Sequence, residues 1–254
     1  LAITNVWLRV YLKYLLIVFI YVLSIATYAC EMKIAIRDTA LYSTKDADGN
    51  WYGIDIDIYE HLASAISCKT HYIELPFADA LKLLKLGQID ALTQLSKIPE
   101  RLATISFVGP VRNEIFGLVT SATVPETISC LDDIAELPYL FAKRKSTYLG
   151  AEFHQLFTHN VNFSSKFIEL TNVHPRIQLI LKGRVIGFFD ESNYLAYALK
   201  NLKHYDQLKL HPLTIDNGEV FIGLSKKSFT DEQLARLNTA FREYKRLNRT
   251  SFVQ

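Results

Sequence analysis

The first thirty residues contain no aspartate and no glutamate. Arg9 and Lys13 are the only formal charges there, and they precede an uncharged apolar run from Tyr14 to Ala29, "YLLIVFIYVLSIATYA". A basic start, a short apolar run and small residues at its end form the pattern of a secretory signal. The run is shorter than the ~20 residues a spanning helix prefers. Export with cleavage near Ala29 is therefore expected. The alternative is an uncleaved N-terminal anchor that leaves the remaining chain outside the cytoplasm. Acylation at Cys30 fits less well, because Thr27 stands where such sites usually carry Leu.

Net charge is also scarce. The chain has 28 Lys and Arg against 26 Asp and Glu, so removing Arg9 and Lys13 leaves 26 of each. There is no basic block and no basic stretch interleaved with aromatics, which excludes a nucleic-acid footprint. No HExxH and no Cys pair at ligand spacing occurs, so neither a metal nor another cofactor is expected. A Ser-His-Asp order and a phosphate loop are missing too, which removes the usual supports for hydrolysis or nucleotide chemistry. No second long apolar run and no signalling domain follows the first run, which argues against a fused membrane receptor. Cysteines number three. Cys30 precedes "MKIAI" and Cys68 precedes "THYIEL", both predicted strands. If these pair in parallel, the two cysteines share one end and a Cys30–Cys68 bridge is within reach. Cys130 is then left over, expected as a small buried apolar residue.

Half of the 254 residues are hydrophobic, enough for a large core. The stretch 51–66, "WYGIDIDIYEHLASAI", alternates like a strand yet repeats apolar residues at Ile54, Ile58, Leu62 and Ile66. Alternation stops at Tyr59 while the longer period continues. A helix over 54–67 is predicted, with Ile54, Ile58, Leu62, Ala65 and Ile66 against a sheet. Asp55 and Asp57 then read as first-turn acids, Asp55 capping free N–H groups and Asp57 favoured by the helix dipole. Strands are predicted at 32–36, 70–75 and 89–94, with a helix at 77–86 stopped by Gly87. This β-α-β-α-β order belongs to a parallel sheet with helices on its faces. "ISFVGPV" and "EIFGLVTSA" add strands to about residue 122.

The pattern then restarts. A strand is predicted at 139–143, a helix at 146–157 begun by Ser146 or Thr147, and a strand at 166–170. A helix at 175–182 stopped by Gly183 and a strand at 184–189 follow. "ALKLLKLGQIDAL" and "RIQLILKGRVIGF" share an apolar helix, a Gly stop and a short strand, which makes Gly87 and Gly183 equivalent and implies two similar α/β lobes. A strand at 219–225 and a last helix close the chain. Thr230 caps that helix, Gln233 completes a capping box, and Leu234, Leu237, Phe241 and Tyr244 form its apolar face.

Four segments in order, "GIDIDIYEHLA", "LKLGQIDAL", "IPERLATISFVGPV" and "LILKGRVIGFF", resemble the family 3 periplasmic solute-binding proteins, the amino-acid receptors of ABC importers. The resemblance runs from about Lys33 to about Arg246. It implies an α/β two-lobe periplasmic-binding-protein-like fold of type II. Each lobe would be a mostly parallel sheet flanked by helices, and two hinge strands would join them. Residues 31–119 with 216–254 would form lobe 1 and residues 120–215 lobe 2, hinged near 119–123 and 214–219. It further implies a periplasmic monomer that binds a small polar amino acid or related carboxylate and hands it to an ABC transporter permease. Physical chemistry supports the place of binding. Ligands of open α/β sheets sit beyond the carboxyl ends of the strands, near helix N-termini.

On this resemblance Arg101, in "IPER", matches the arginine that grips the ligand α-carboxylate, a planar fork that suits a planar group better than Lys does. Ile98 stands where the family has Thr, and the preceding loop "TQLSK" is one residue short. Thr93, Gln94 and Ser96 are left as hydrogen-bonding candidates. Asp38 closes the first strand, either meeting a polar or cationic ligand group or capping a turn. Tyr42 is the aromatic nearest the stacking position, offset by one because Leu41 holds the expected place. Phe77 matches a second apolar wall, or equally a core aromatic. Ser146 and Thr147 match an anion loop at a helix start. Lys145 replaces its usual Gly and adds a cation beside the cleft, with Arg144 next to it. Asp190 or Glu191 matches the acid that accepts the ligand ammonium, Asp190 preferred. Ile186 replaces a structural strand Asp. Two other functions stay open on the same fold: a dehydratase of the cyclohexadienyl or arogenate type, and an orphan sensory binding protein.

Overall fold

The computed structural model describes residues 30–248 except 123, 125–127, 172 and 173. The export signal and the anchor, both placed on residues 1–29, lie outside the described residues. The chain begins with β1 (Cys30–Ile36), a hairpin of β2 (Thr44–Lys45) and β3 (Trp51–Tyr52), α1 (Ile54–Ala65) and β4 (Cys68–Glu74). Next come α2 (Phe77–Leu86), β5 (Ala91–Ser96), the single turn α3 (Pro99–Leu102) and the long β6 (Ile105–Ser121). They are followed by α4 (Asp133–Glu136), β7 (Phe141–Arg144), α5 (Ala151–His159), α6 (Val161–Ser164) and β8 (Phe167–Leu170). Last are α7 (His174–Leu181), β9 (Gly187–Glu191), α8 (Ser192–Asn201), a 3-10 turn at Tyr205–Gln207, β10 (Leu208–Ser225) and α9 (Asp231–Leu247).

Eight strands form one sheet in the order β4-β1-β5-β10-β6-β9-β7-β8. The order is symmetric about its centre. β5 is parallel to β1 on one side, and β9 is parallel to β7, itself parallel to β8, on the other. Between them the long β6 and β10 pair antiparallel from Ile105↔Ser225 to Ser121↔Leu208. β10 also pairs with β5 and β6 with β9, so these two strands link the parallel halves. This is the two-lobe α/β architecture expected from the sequence. Of the residues expected as hinges, 119–121 lie on β6 and 214–219 on β10, and Val119 and Thr120 pair with Phe188 and Gly187 of β9.

The repeated segments keep their equivalence in three dimensions. Gly87 and Gly183 both adopt positive φ, 75° and 64°. Gly87 N–H reaches Leu84 O and Gln88 N–H reaches Leu83 O; Gly183 N–H reaches Ile180 O and Arg184 N–H reaches Leu179 O. The same left-handed glycine stop thus ends α2 before β5 and α7 before β9.

Alternate strand residues feed separate cores, as side chains on successive positions must. Ile34 packs with α1 and α9 through Ile58, Leu62, Leu237 and Phe241, whereas Ala35 packs with α2 through Phe77, Leu81 and Leu84. In the second half Phe189 joins an aromatic cluster with Phe153, Phe163 and Phe167, and Phe188 packs on α7 and α8 through Ile180 and Leu195. The capping box of Thr230 and Gln233 is present.

Several sequence expectations are corrected. The predicted helix at 146–157 starts only at Ala151, after Gly150 at φ 85°, so neither Ser146 nor Thr147 caps it. Asp55 makes no cap either: Gly53 is the N-cap of α1 and Asp55 is buried. Cys130 is exposed, its N–H held by Asp133 Oδ2 in the loop before α4, rather than buried. Cys30 and Cys68 are disulfide-bonded. α8 was missed, because Glu191 ends β9 and caps α8 in the same step, with no Gly or Pro between.

Candidate functional site

The carboxyl ends of β1, β5, β7 and β9 open on one cleft of about 600 Å³ of empty space. From the first half come Arg37, Asp38 and Tyr42 after β1, Phe77 at the start of α2, Gln94 and Ser96 on β5, and Arg101 on α3. From the second half come Arg144 at the end of β7, Thr147 and Tyr148 after it, Asp190 and Glu191 on β9, and Tyr194 on α8. Direct hydrogen bonds span the halves: Tyr42 Oη donates to Glu191 Oε2 at 3.0 Å, and Arg101 Nη2 to Ser146 O at 3.4 Å.

Arg101 is 4% exposed. Its Nη1 donates to Ser96 O at 2.7 Å, and among the described residues it has no ion pair, Glu100 included. Burial lowers its pKa to about 10, against the pull of Glu100 and Tyr148, so it is charged at neutral pH. Beside it, the Thr147 hydroxyl is buried without a partner. Ser146 is not part of the lining; it contributes its carbonyl, at φ 63°. Lys145 is exposed and likewise absent from the lining.

Asp190 and Glu191 both face the cleft but are differently engaged. Asp190 holds Arg176 on Oδ2 and Arg144 on Oδ1, 3.2 Å away, and also accepts the Glu191 N–H. Burial raises its pKa, yet Arg176 and Arg144 outweigh burial and keep it below the ordinary value. Glu191 caps α8, accepting from Asn193 N–H and Tyr194 N–H, besides Tyr42.

Tyr42 is buried, with the Arg112 guanidinium 3.9 Å from its ring centre. Phe77 is buried and lies under Arg37, whose guanidinium is 5.1 Å from the ring centre. Asp38 is exposed. Gln94 and Ser96 line the cleft, whereas Thr93 turns to Asp55, donating to Oδ2 at 3.0 Å. Arg112 Nη1 stands 3.7 Å from the other Asp55 oxygen. Burial opposes the Arg112 charge, but Asp55, Tyr42, Glu114 and Glu191 more than offset it and raise its pKa.

Sequence reasoning missed Arg37, Glu114, Arg176 and the aromatic linings Phe116, Tyr148 and Tyr194. The signals were a charge directly after a strand at Arg37, and Arg112 and Glu114 inside the otherwise apolar β6. Arg176 stood on the side of α7 that also carries Ile180. Glu114 is buried and accepts from Asn217 Nδ2 at 2.7 Å. Burial pushes its pKa up to about 7, Arg112 pulling the other way.

Opposed strand ends closing on charged and aromatic side chains define the class, a two-lobe α/β solute-binding protein. The chain belongs to the bacterial extracellular solute-binding proteins, family 3, whose family model matches residues 32–249. It matches no curated protein. Among solved structures it is similar to the amino acid ABC transporter substrate-binding protein AbpA from Streptococcus pneumoniae, bound to L-arginine. There the identity is 17%, coverage is 85% of this chain and 90% of that one, and the TM-score is 0.71. A Salmonella typhimurium periplasmic binding protein of high arginine specificity matches at 17% identity, over 86% and 94%, with a TM-score of 0.68. An ancestral arginine-binding protein bound to glutamine matches at 19% identity, over 87% and 94%, with a TM-score of 0.70. Among the described residues no helix is long and apolar enough to cross a membrane.

Proposed function

We propose that this chain is an exported, monomeric receptor that captures a small amino acid or related carboxylate between its lobes. It delivers the solute, chemically unchanged, to the permease of an ABC importer. The lobes are residues 31–119 with 216–254 and residues 120–215, moving on β6 and β10. The carrying observation is Arg101: buried, charged, without a carboxylate partner among the described residues, and beside the Thr147 hydroxyl, which has no partner among them either. A buried guanidinium without a counter-ion is costly, and a ligand carboxylate supplies one through two charge-assisted hydrogen bonds. Solved relatives are named for arginine and one is bound to glutamine, both of which carry that carboxylate.

A thermal-shift screen of amino acids and dicarboxylates on the purified chain tests this. A true ligand at ~100 times its Kd adds ~2.7 kcal/mol of stability. Hydrogen bonds to charged groups are worth roughly 1.5–3 kcal/mol, so Arg101→Ala is expected to weaken the best hit at least tenfold by titration calorimetry. Unchanged affinity in that variant contradicts the assignment.

A further inference from the structure

Two arginines of the cleft, Arg37 and Arg101, have no ion pair among the described residues, and a third, Arg144, keeps donors to spare beside its bond to Asp190. Among the described residues Arg37 forms no ion pair; its Nη2 donates to the neutral Gln94 Oε1 at 2.8 Å. Arg144 reaches Asp190 through Nη2, while its Nε is buried without a partner. Burial and the neighbouring Arg144 lower the Arg37 pKa to about 10, which leaves Arg37 a cation at neutral pH.

Of the four lining carboxylates, three are already engaged. Asp190 is spent on Arg176, Arg144 and the Glu191 N–H. Glu191 is spent on Tyr42 and the first turn of α8. Glu114, buried and bonded to Asn217, holds its proton about half the time near pH 7. Asp38, exposed, is the remaining lining carboxylate. A cationic side chain entering here meets Arg37 and Arg144, and Arg37 already lies over the Phe77 ring.

We infer that the solute is a small dicarboxylate, in its amino-dicarboxylate form. Arg101 holds one acid group, Arg37 with Arg144 holds the other, and Asp38 meets the ammonium. This rests on the proposed capture of a carboxylate at Arg101.

Titration calorimetry of the full chain with L-aspartate, L-glutamate, succinate, L-asparagine, L-glutamine and L-arginine tests it. Expected is at least tenfold tighter binding of an acidic amino acid than of its amide, a comparison that needs no variant. Arg37→Gln is expected to erase that margin with an unchanged circular-dichroism spectrum; a margin that survives in this variant overturns the inference. Succinate weaker than aspartate by tenfold supports Asp38; equal binding overturns the ammonium assignment alone. If arginine or an amide binds best and Arg101→Ala abolishes that binding, this inference falls and the proposed capture stands. If no solute in the panel binds, this inference falls; if Arg101→Ala leaves the affinity of the best-binding solute unchanged, both fall.

Discussion

Glu114 sits among groups that pull it both ways. Burial and Glu191 favour its neutral form; Arg112, Asn217 and Arg144 favour the carboxylate. The folded pKa of about 7 lies above the ordinary 4.5, so folding takes up a proton between those values. The stabilising contribution is therefore complete below about pH 4.5 and lost as pH rises through about 7, on the order of 3 kcal/mol in all. Glu114→Gln keeps the shape without the titration. Melting curves of the two proteins from pH 4.5 to 8 are expected to converge or cross, the native chain losing ground as pH rises; parallel curves contradict the assignment. At this scale Arg101 stood out only through the resemblance of "IPER" to the family motif, and its burial without an ion pair among the described residues was not readable from the sequence. Asp55 was not legible: an acid in a first helical turn reads as a cap, and nothing local reveals that Thr93 and Arg112 arrive from other strands to bury it.

Loops and helix starts place the side chains of the cleft. Gly53, the N-cap of α1, has φ 127°, and a Cβ there would lie 2.5 Å from Tyr42 O, the carbonyl that accepts Asp55 N–H. Gly53→Ala must strain the backbone and push the Tyr42 turn. Expected are a lowered Tm and a weakened ligand affinity together; a loss of Tm with affinity intact would separate Tyr42 from the site. The misplaced start of α5 has a similar origin. "STYLGAEF" carries helical apolar spacing, but Gly150 packs against Asp216 O so closely that a Cβ would lie 2.5 Å away, and Ser146 to Gly150 run as a loop past the cleft. That close approach comes from β10, about seventy residues on, and the sequence window contains no trace of it.

On the scale of the whole molecule, the repeat around Gly87 and Gly183 made two matched halves legible, and the sheet order mirrors them about β10 and β6. The length of the crossing strands was not legible. The polar Arg112 and Asn113 part "ISFVGPV" from "EIFGLVTSA", so β6 read as two pieces, and the polar residues of 208–218 hid most of β10. With Tyr42–Glu191 and Arg101–Ser146 already joining the halves, a solute that engages both sides favours the closed arrangement by its differential affinity. The most direct measurement is a crystal structure with the tightest-binding solute from the titration panel. Expected is a carboxylate about 3 Å from the Arg101 guanidinium nitrogens, with the solute contacting residues of both sheet halves. A solute bound away from Arg101, or held by one half alone, would contradict capture between the lobes.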